Sequence, residues 1–407
     1  MTAFGVLEGV RIVDLTQMLS GPFCTMLLAD HGADVIKIEP FGGETTRGNG
    51  PYLSGDNNQT LGGYFQSVNR NKRSLVLDLR SGPGRKVLLD LVRQSDAIVS
   101  NFREGVMERL GLSYGELRAI NPRIVQASIS GFGSAAFGAS PYGDWPAYDV
   151  VAQAMGGIMA ITGSDPRTPV KVGPGVGDIF PGTLLAFAIV AALRHAERTG
   201  AGQRVEVAMY DAVVALCERA IYQYSYTGES PYPEGQTHPF LAPFGMFPAA
   251  DGWIALAAQN NNFWALLADI MACPELKTEA GFATKAERTT NRNAVNQRVG
   301  AWTRRFTKVE LKQLLGGKVP FGAVQTAAEI VNDPHLAARG LLAEVEEPGA
   351  GSGARARVVD TPIKFSRTPG GVRARGPLLG EHSDSILASL GYSAANIAAL
   401  KAERFVG

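Results

Sequence analysis

Cysteine is scarce in this chain: Cys24, Cys217 and Cys273 are the only three in 407 residues, odd in number and far apart. That excludes a disulfide framework and a cysteine zinc site, and it reads as buried structural thiols. Histidine is equally thin, with His31, His195, His238, His335 and His382 standing singly and without metal-ligand spacing. No His-Glu-x-x-His, Gly-x-Ser-x-Gly or phosphate-loop lysine motif occurs, and the glycine-rich segments do not follow a strand with dinucleotide spacing. Metal, serine-hydrolase and redox chemistry therefore lose their usual carriers, and neither a metal nor a tightly bound cofactor is expected. Charge of one sign is lacking too: 39 basic against 38 acidic residues leave a net charge of +1, so nucleic acid is not an expected partner. The longest apolar run, Thr183 to Leu193, falls short of the roughly 18 residues of a membrane span. Met1 to Val10 lacks a basic region followed by an apolar one. No membrane partner is expected, and the cytoplasm is the expected compartment.

What is present is the composition of a globular enzyme, 45% apolar and 19% charged, in a chain long enough to split into two domains. Val10 to Leu15 reads as a buried strand, Pro22 opens a helix through Ala29, Gly32 closes it, and Val35 to Glu39 reads as the next strand. The theme repeats in strand Ser74 to Leu79, helix Gly84 to Gln94, strand Ala97 to Ser100, helix Tyr114 to Ile120 and strand Arg123 to Ile129. Alternation at these lengths predicts an α/β fold with a parallel sheet covered on both faces. Further helices are expected from Tyr148 to Met159, Ile179 to His195 and Asp211 to Tyr222, with a strand from Arg204 to Ala208. Pro231, Pro233, Pro239 and Pro243 then mark a connector, and Asp251-Gly252 between two apolar runs is a hairpin signal. The expected division is a large α/β domain in residues 1–226, a smaller α+β domain in 227–320, and a return segment in 321–407 that completes the large domain.

One carboxylate stands out. Asp178 follows the glycine-rich segment Gly173-Pro-Gly-Val-Gly177 and precedes an apolar helix. Aspartate at that place serves as an N-cap, its carboxylate accepting from the orphan amides of the first turn. The same surroundings suit a nucleophile, which needs open approach, flexible backbone and amides able to hold an oxyanion. The residues alone leave both roles open.

A set of short stretches then bears on the choice: Val35 to Glu39, Asn69 to Ser74, Asn101-Phe102 with Arg109-Leu-Gly111, Pro146 to Asp149, Gly177-Asp178, Gly202-Gln203 to Asp211, Asp333-Pro334 and Leu379 to His382. In this order and spacing the chain resembles, almost end to end, the class III CoA-transferases, the family of formyl-CoA transferase and the carnitine CoA-transferases. The resemblance implies that Asp178 attacks an acyl-CoA thioester. A carboxylate conserves the thioester's free energy as a mixed anhydride, which CoA thiolate reopens to an aspartyl-CoA thioester for a free carboxylic acid to take up. With an ordinary pKa of about 3.9 such a side chain is ionised at neutral pH and needs no general base. The same resemblance implies CoA contacts at Met18, Leu19, Ser20, Asn101, Phe102, Arg109 and Met209, Arg109 suiting a CoA phosphate. It implies substrate contacts at Tyr148 and Asp149; helix start and cap is the alternative for that pair. Arg47 is a candidate grip for a second substrate carboxylate, with a plain loop cation as the alternative.

The chain departs from formyl-CoA transferase at several of these places. Leu19 stands where that enzyme has a glutamine, Pro40 and Pro146 where it has basic residues, and the segment Pro239 to Gly245 where it has consecutive glycines. Oxalate is therefore not the expected acceptor. Short dicarboxylic or hydroxydicarboxylic acids are, with succinyl-CoA or a similar donor and coenzyme A as part of the substrate. Kinship further implies a Rossmann-like large domain and an interlocked homodimer. Two rival readings are an α-methylacyl-CoA racemase, disfavoured because no histidine lies between His31 and His195, and an acyl-CoA-binding protein without turnover, disfavoured by the retained Gly177-Asp178.

Overall fold

Short runs of branched apolar residues make the strands of a sheet buried on both faces. The computed structural model describes residues 5–407. In it, β1 (Arg11–Asp14), β2 (Asp34–Glu39), β3 (Arg73–Val76), β4 (Ala97–Ser100), β5 (Val125–Ser130) and β6 (Arg204–Ala208) form one six-stranded sheet. The strands run parallel in the order β3-β2-β1-β4-β5-β6. Val13 sits opposite Ile36 on one side and Ile98 on the other, and all three are fully buried. The α/β class expected from the alternation stands, and the strand order is the doubly wound one, reversing between β1 and β4.

Crossovers α1 (Ser20–Asp30), α2 (Gly63–Asn69), α3 (Gly82–Val92), α4 (Val106–Arg109) and α5 (Tyr114–Ile120) link the strands. Val87, Leu88, Leu91 and Leu117 from α3 and α5 join Val13, Ile36, Leu75 and Ile98 in one apolar core. Ile386, Leu387 and Ile397 add to it from the helices Ser383–Ser389 and Ala394–Ala402, so the C-terminal residues complete the core begun at the N-terminal strand. After β5 come α6 (Asp149–Met155) and α7 (Val176–Thr199), and after β6 comes α8 (Met209–Leu216). Helix α7 packs on α1, β5 and β6.

Several helix boundaries differ from the sequence reading. Gly157, at φ 93°, stops α6 well before Met159, because a left-handed residue cannot continue a helix. Helix α7 begins at Val176, three residues before Ile179, and continues to Thr199 until Gly200 caps it in the left-handed conformation. The helix expected over Asp211 to Tyr222 is broken at Cys217, whose amide donates to both Val213 and Val214 carbonyls, and resumes at Glu218. By length and composition alone α7 is apolar enough to cross a membrane. It reaches that length because the helix takes in Asp178, Pro181 and the polar turn at its far end, around the shorter apolar run seen in the sequence.

The chain divides into two compact units. The one described so far comprises the residues up to Ile158 together with Val172–Arg219 and His335–Gly407. The other comprises Met159–Lys171 and Ala220–Pro334. In the latter, β7 (Phe244–Ala249) and β8 (Gly252–Ala257) form the hairpin that Asp251-Gly252 signalled. The segment expected to start the return contributes β9 (Phe321–Ala323), antiparallel to β8. Trp264, Leu267, Val295, Val299, Leu311 and Leu315 close this unit's core.

Candidate active site

Open α/β sheets gather ligands outside the carboxyl ends of the strands where the strand order reverses. A cleft of about 420 Å3 lies there. Gln17, Met18 and Ser20 line it after β1, Asn101, Phe102, Arg103, Glu104, Val106 and Arg109 after β4, Ile129 to Gly131 at the end of β5, and Met209 after β6. Trp145 to Tyr148, Gly143, Tyr64 and Asp178 complete the wall.

The loop after β1 is held rather than free. Asn101 accepts from the Gln17 amide at 2.8 Å and donates back to its carbonyl at 2.7 Å, bridging the reversal point. The buried Glu44 carboxylate accepts from the Met18 amide at 3.2 Å, and Met18 adopts φ 67°, a conformation that non-glycine residues avoid. Beneath it the buried Asp14 accepts from the Thr16 amide at 2.8 Å, Thr25 Oγ1 at 2.7 Å and Lys72 Nζ at 3.0 Å. Lys37 Nζ donates to the Thr16 carbonyl at 2.9 Å. Two cations and two carboxylates, all buried, thus fix one five-residue loop.

Asp178 sits in the first turn of α7 and faces the cleft. It is not a cap: the N-cap is Gly175, and among the described residues the Asp178 carboxylate has no hydrogen-bond partner. The carboxylate that secures this turn belongs to Asp149, which accepts from the Gly177 amide at 2.8 Å and from Gln153 Nε2 at 2.9 Å. Support from another helix is why α7 starts before Asp178. Such close approach requires Gly177, because a Cβ there would lie 2.7 Å from the Asp149 carbonyl oxygen. The other first-turn amides are occupied as well, Val176 on Pro174 and both Asp178 and Ile179 on Gly175. These amides are therefore not free to receive an oxyanion.

Burial, and secondarily the negative charge of Asp149, push the Asp178 carboxyl up to about 7. That stands well above the ordinary value from which the sequence reading took this side chain to be ionised at neutral pH. Tyr64, not singled out in the sequence, is pushed up to about 12 by burial and by the charges of Asp178, Glu44 and Asp149, so its hydroxyl stays a proton donor.

Of the residues expected at the site, Met18, Ser20, Asn101, Phe102, Arg109, Met209, Tyr148 and Asp178 line one cleft. Leu19 is not among the cleft-lining residues; its Cδ2 lies 3.0 Å from where a Cβ on Gly175, the N-cap of α7, would be. Asp149 starts α6 and acts on the turn that carries Asp178. Arg47 is not among the cleft-lining residues. Its guanidinium grips Glu39 at 2.6 and 2.7 Å, donates to the Pro377 carbonyl at 3.0 Å and lies 3.9 Å over the Phe65 ring. With one edge on Glu39 and a further donor on the Pro377 carbonyl, this guanidinium is engaged inside the fold, which favours the structural alternative over the expected grip on a substrate carboxylate. Sequence reading missed Tyr64, Trp145, Arg103 and Glu104; the last two follow Asn101-Phe102 directly, and that adjacency was the available signal.

Comparison with known proteins adds three findings. The model of CoA-transferase family III matches residues 7–383. Among curated proteins the chain is 45% identical to succinyl-CoA:mesaconate CoA-transferase of Haloarcula marismortui over 95% of this chain and 97% of the relative. It is 37% identical to succinyl-CoA–D-citramalate CoA-transferase of Chloroflexus aurantiacus over 98% of each. Among solved structures, a CAIB/BAIF family protein from Brucella suis superimposes with a TM-score of 0.83 at 34% identity, over 96% of this chain and all of the other.

Proposed function

The chain belongs to CoA-transferase family III, and on that premise we propose that it moves CoA from an acyl-CoA donor to a free short dicarboxylic or hydroxydicarboxylic acid, with Asp178 as the covalent nucleophile. The observation that carries this reading is a half-buried carboxylate with no hydrogen-bond partner among the described residues, facing a cleft at the sheet's reversal point. A carboxylate left unpaired and partly desolvated is raised in energy, and forming a bond to carbon relieves it. The two curated relatives, which act with succinyl-CoA on mesaconate and on D-citramalate by their names, support the choice of acids and of a succinyl-type donor.

In the proposed sequence an Asp178 carboxylate oxygen adds to the thioester carbonyl carbon, the C–S bond breaks, and CoA leaves as thiolate. The thiolate then adds to the Asp178 carbonyl carbon of the mixed anhydride and expels the donor acid as a carboxylate. An acceptor carboxylate repeats both steps in reverse, returning free Asp178 and a new thioester. No net proton moves, consistent with a cleft that no histidine lines among the described residues. Tyr64 lines the same cleft, and its protonated hydroxyl is the donor we assign to the oxyanion, the α7 amides being occupied. Arg109, exposed and lining the cleft, suits a CoA phosphate. No resident cofactor is needed; coenzyme A enters as part of the substrate.

We place the enzyme in the cytoplasm, as an interlocked homodimer. The exposed Phe187 and Val190 on α7 and Leu216 on α8 support an apolar contact between copies. A folded, active monomer by light scattering would refute the dimer. The test of the reaction itself is mass spectrometry after mixing with succinyl-CoA. An adduct on Asp178 that hydroxylamine removes is expected, and reversible binding without an adduct would overturn the covalent route.

A further inference from the structure

The cleft that Asp178 lines also carries an aromatic surface that the transfer chemistry leaves unused. Trp145 lines the cleft and keeps 51% of its surface exposed, the most of the four tryptophans; Trp253 keeps 38%, Trp302 7% and Trp264 1%. Its indole is nonetheless held: the Tyr142 ring lies 4.8 Å away, the buried Phe132 meets it edge-on at 6.3 Å, and the Trp145 amide donates to the Tyr142 carbonyl at 2.9 Å. A large ring fixed by neighbours and still half open is preorganised for a flat partner. The segment that carries the ring is anchored at both ends of the cleft: Gly143 lies against Glu104 after β4, where a Cβ would be 3.5 Å from the carboxylate, while Ala147 packs against Gly131 and Asp149 holds the Gly177 amide next to Asp178. The indole, Asp178 and Arg109 line the same cleft.

We propose that Trp145 is a specificity-determining residue, a stacking platform that favours planar conjugated acyl groups, α,β-unsaturated or aryl, over saturated ones of the same length and charge. The inference rests on the transferase reading above and narrows its substrate class. A conjugated acyl group presents one delocalised face to the indole. A saturated chain staggers its methylenes and touches it at fewer atoms. One aromatic stacking contact corresponds to about a three- to tenfold preference.

The test uses two matched pairs. With succinyl-CoA as donor, glutaconate should exceed glutarate in kcat/KM by about three- to tenfold, and Trp145→Leu should bring the ratio close to one while exchange with glutarate persists. Trp145→Phe, which keeps a smaller flat face, should retain part of the preference. Independently of turnover, crotonyl-CoA should quench tryptophan emission more than butyryl-CoA, and Trp145→Leu should abolish the difference; both esters carry the same adenine, so the difference reports the acyl group alone. An unchanged glutaconate-to-glutarate ratio in Trp145→Leu would overturn the proposal. So would an equal rise in KM for every CoA ester with acid selectivity intact, which would assign the indole to the CoA carrier. If the wild-type protein exchanged neither acid, the transferase reading would fail, and the fluorescence pair would still decide whether Trp145 meets the acyl group.

Discussion

Replacing Asp178 by asparagine separates what this carboxylate does for chemistry from what it does to the fold. The side chain is raised from 3.8 to about 7, mainly because burial disfavours its charged form. Three pH units correspond to about 4 kcal/mol between the two protonation states at full burial, and to less in proportion to the solvent this half-buried group keeps. The folded carboxyl ionises near 7 and the unfolded one near 3.8, so between those values the native state binds more protons than the unfolded state. Native stability from this group is therefore lost as pH rises through that window, and the full penalty stands above it. The neutral amide of the Asp178→Asn variant carries no such penalty. The difference in unfolding free energy between Asp178→Asn and wild type, measured by urea titration at pH 4, 5.5, 7 and 8.5, should grow in favour of the variant up to pH 7. It should then level off at no more than about 4 kcal/mol. Taking the difference cancels the other titrating groups. The stabler variant should form no hydroxylamine-sensitive adduct. A stability difference that stays flat with pH would refute the assignment of Asp178 as a strained, desolvated carboxylate, and full transferase activity in the variant would remove it as the nucleophile.

The same ionisation should appear in the wild-type kinetics: the single-turnover rate of adduct formation rises with pH to a midpoint near 7, falling about tenfold per pH unit below 6, and a profile flat from pH 5 to 8 would contradict it. Lys72→Met removes the ammonium 3.0 Å from the buried Asp14 and should destabilise the fold by about 3–5 kcal/mol in chemical denaturation, because the remaining charge loses its ion-pair partner; a loss under about 1 kcal/mol would show that Lys37 alone suffices. Asn101→Ala removes both hydrogen bonds to the Gln17 backbone and frees the left-handed Met18 loop. It should raise KM for CoA esters several-fold with little change in melting temperature, and an unaltered KM would detach that loop from CoA binding.

Much of this was legible in the residues. Parallel strands buried on both faces must be nearly continuous in Val, Ile and Leu, so β1, β2 and β4 showed themselves without tertiary information. The hairpin at Asp251-Gly252 was equally local, since its turn needs those residue types. The start of α7 was misplaced because the carboxylate that secures its first turn belongs to Asp149 on another helix, and no local pattern around Val176 encodes that contact. Tyr64, in the first turn of α2, and Trp145, in a loop, were missed for a similar reason: an aromatic residue reads the same in sequence whether it faces solvent or lines a cleft.

By itself, then, the order of residues determined the alternation of strand and helix, the family, and the placing of an aspartate just after a glycine-rich turn, because each of these is written in contiguous stretches of a few residues. The tertiary structure alone decided how acidic that aspartate is, which carboxylate supports its helix, and that Arg47 pairs with Glu39. Burial and ion pairing depend on atoms brought together from distant parts of the chain, and their energies exist only once the sheet has assembled.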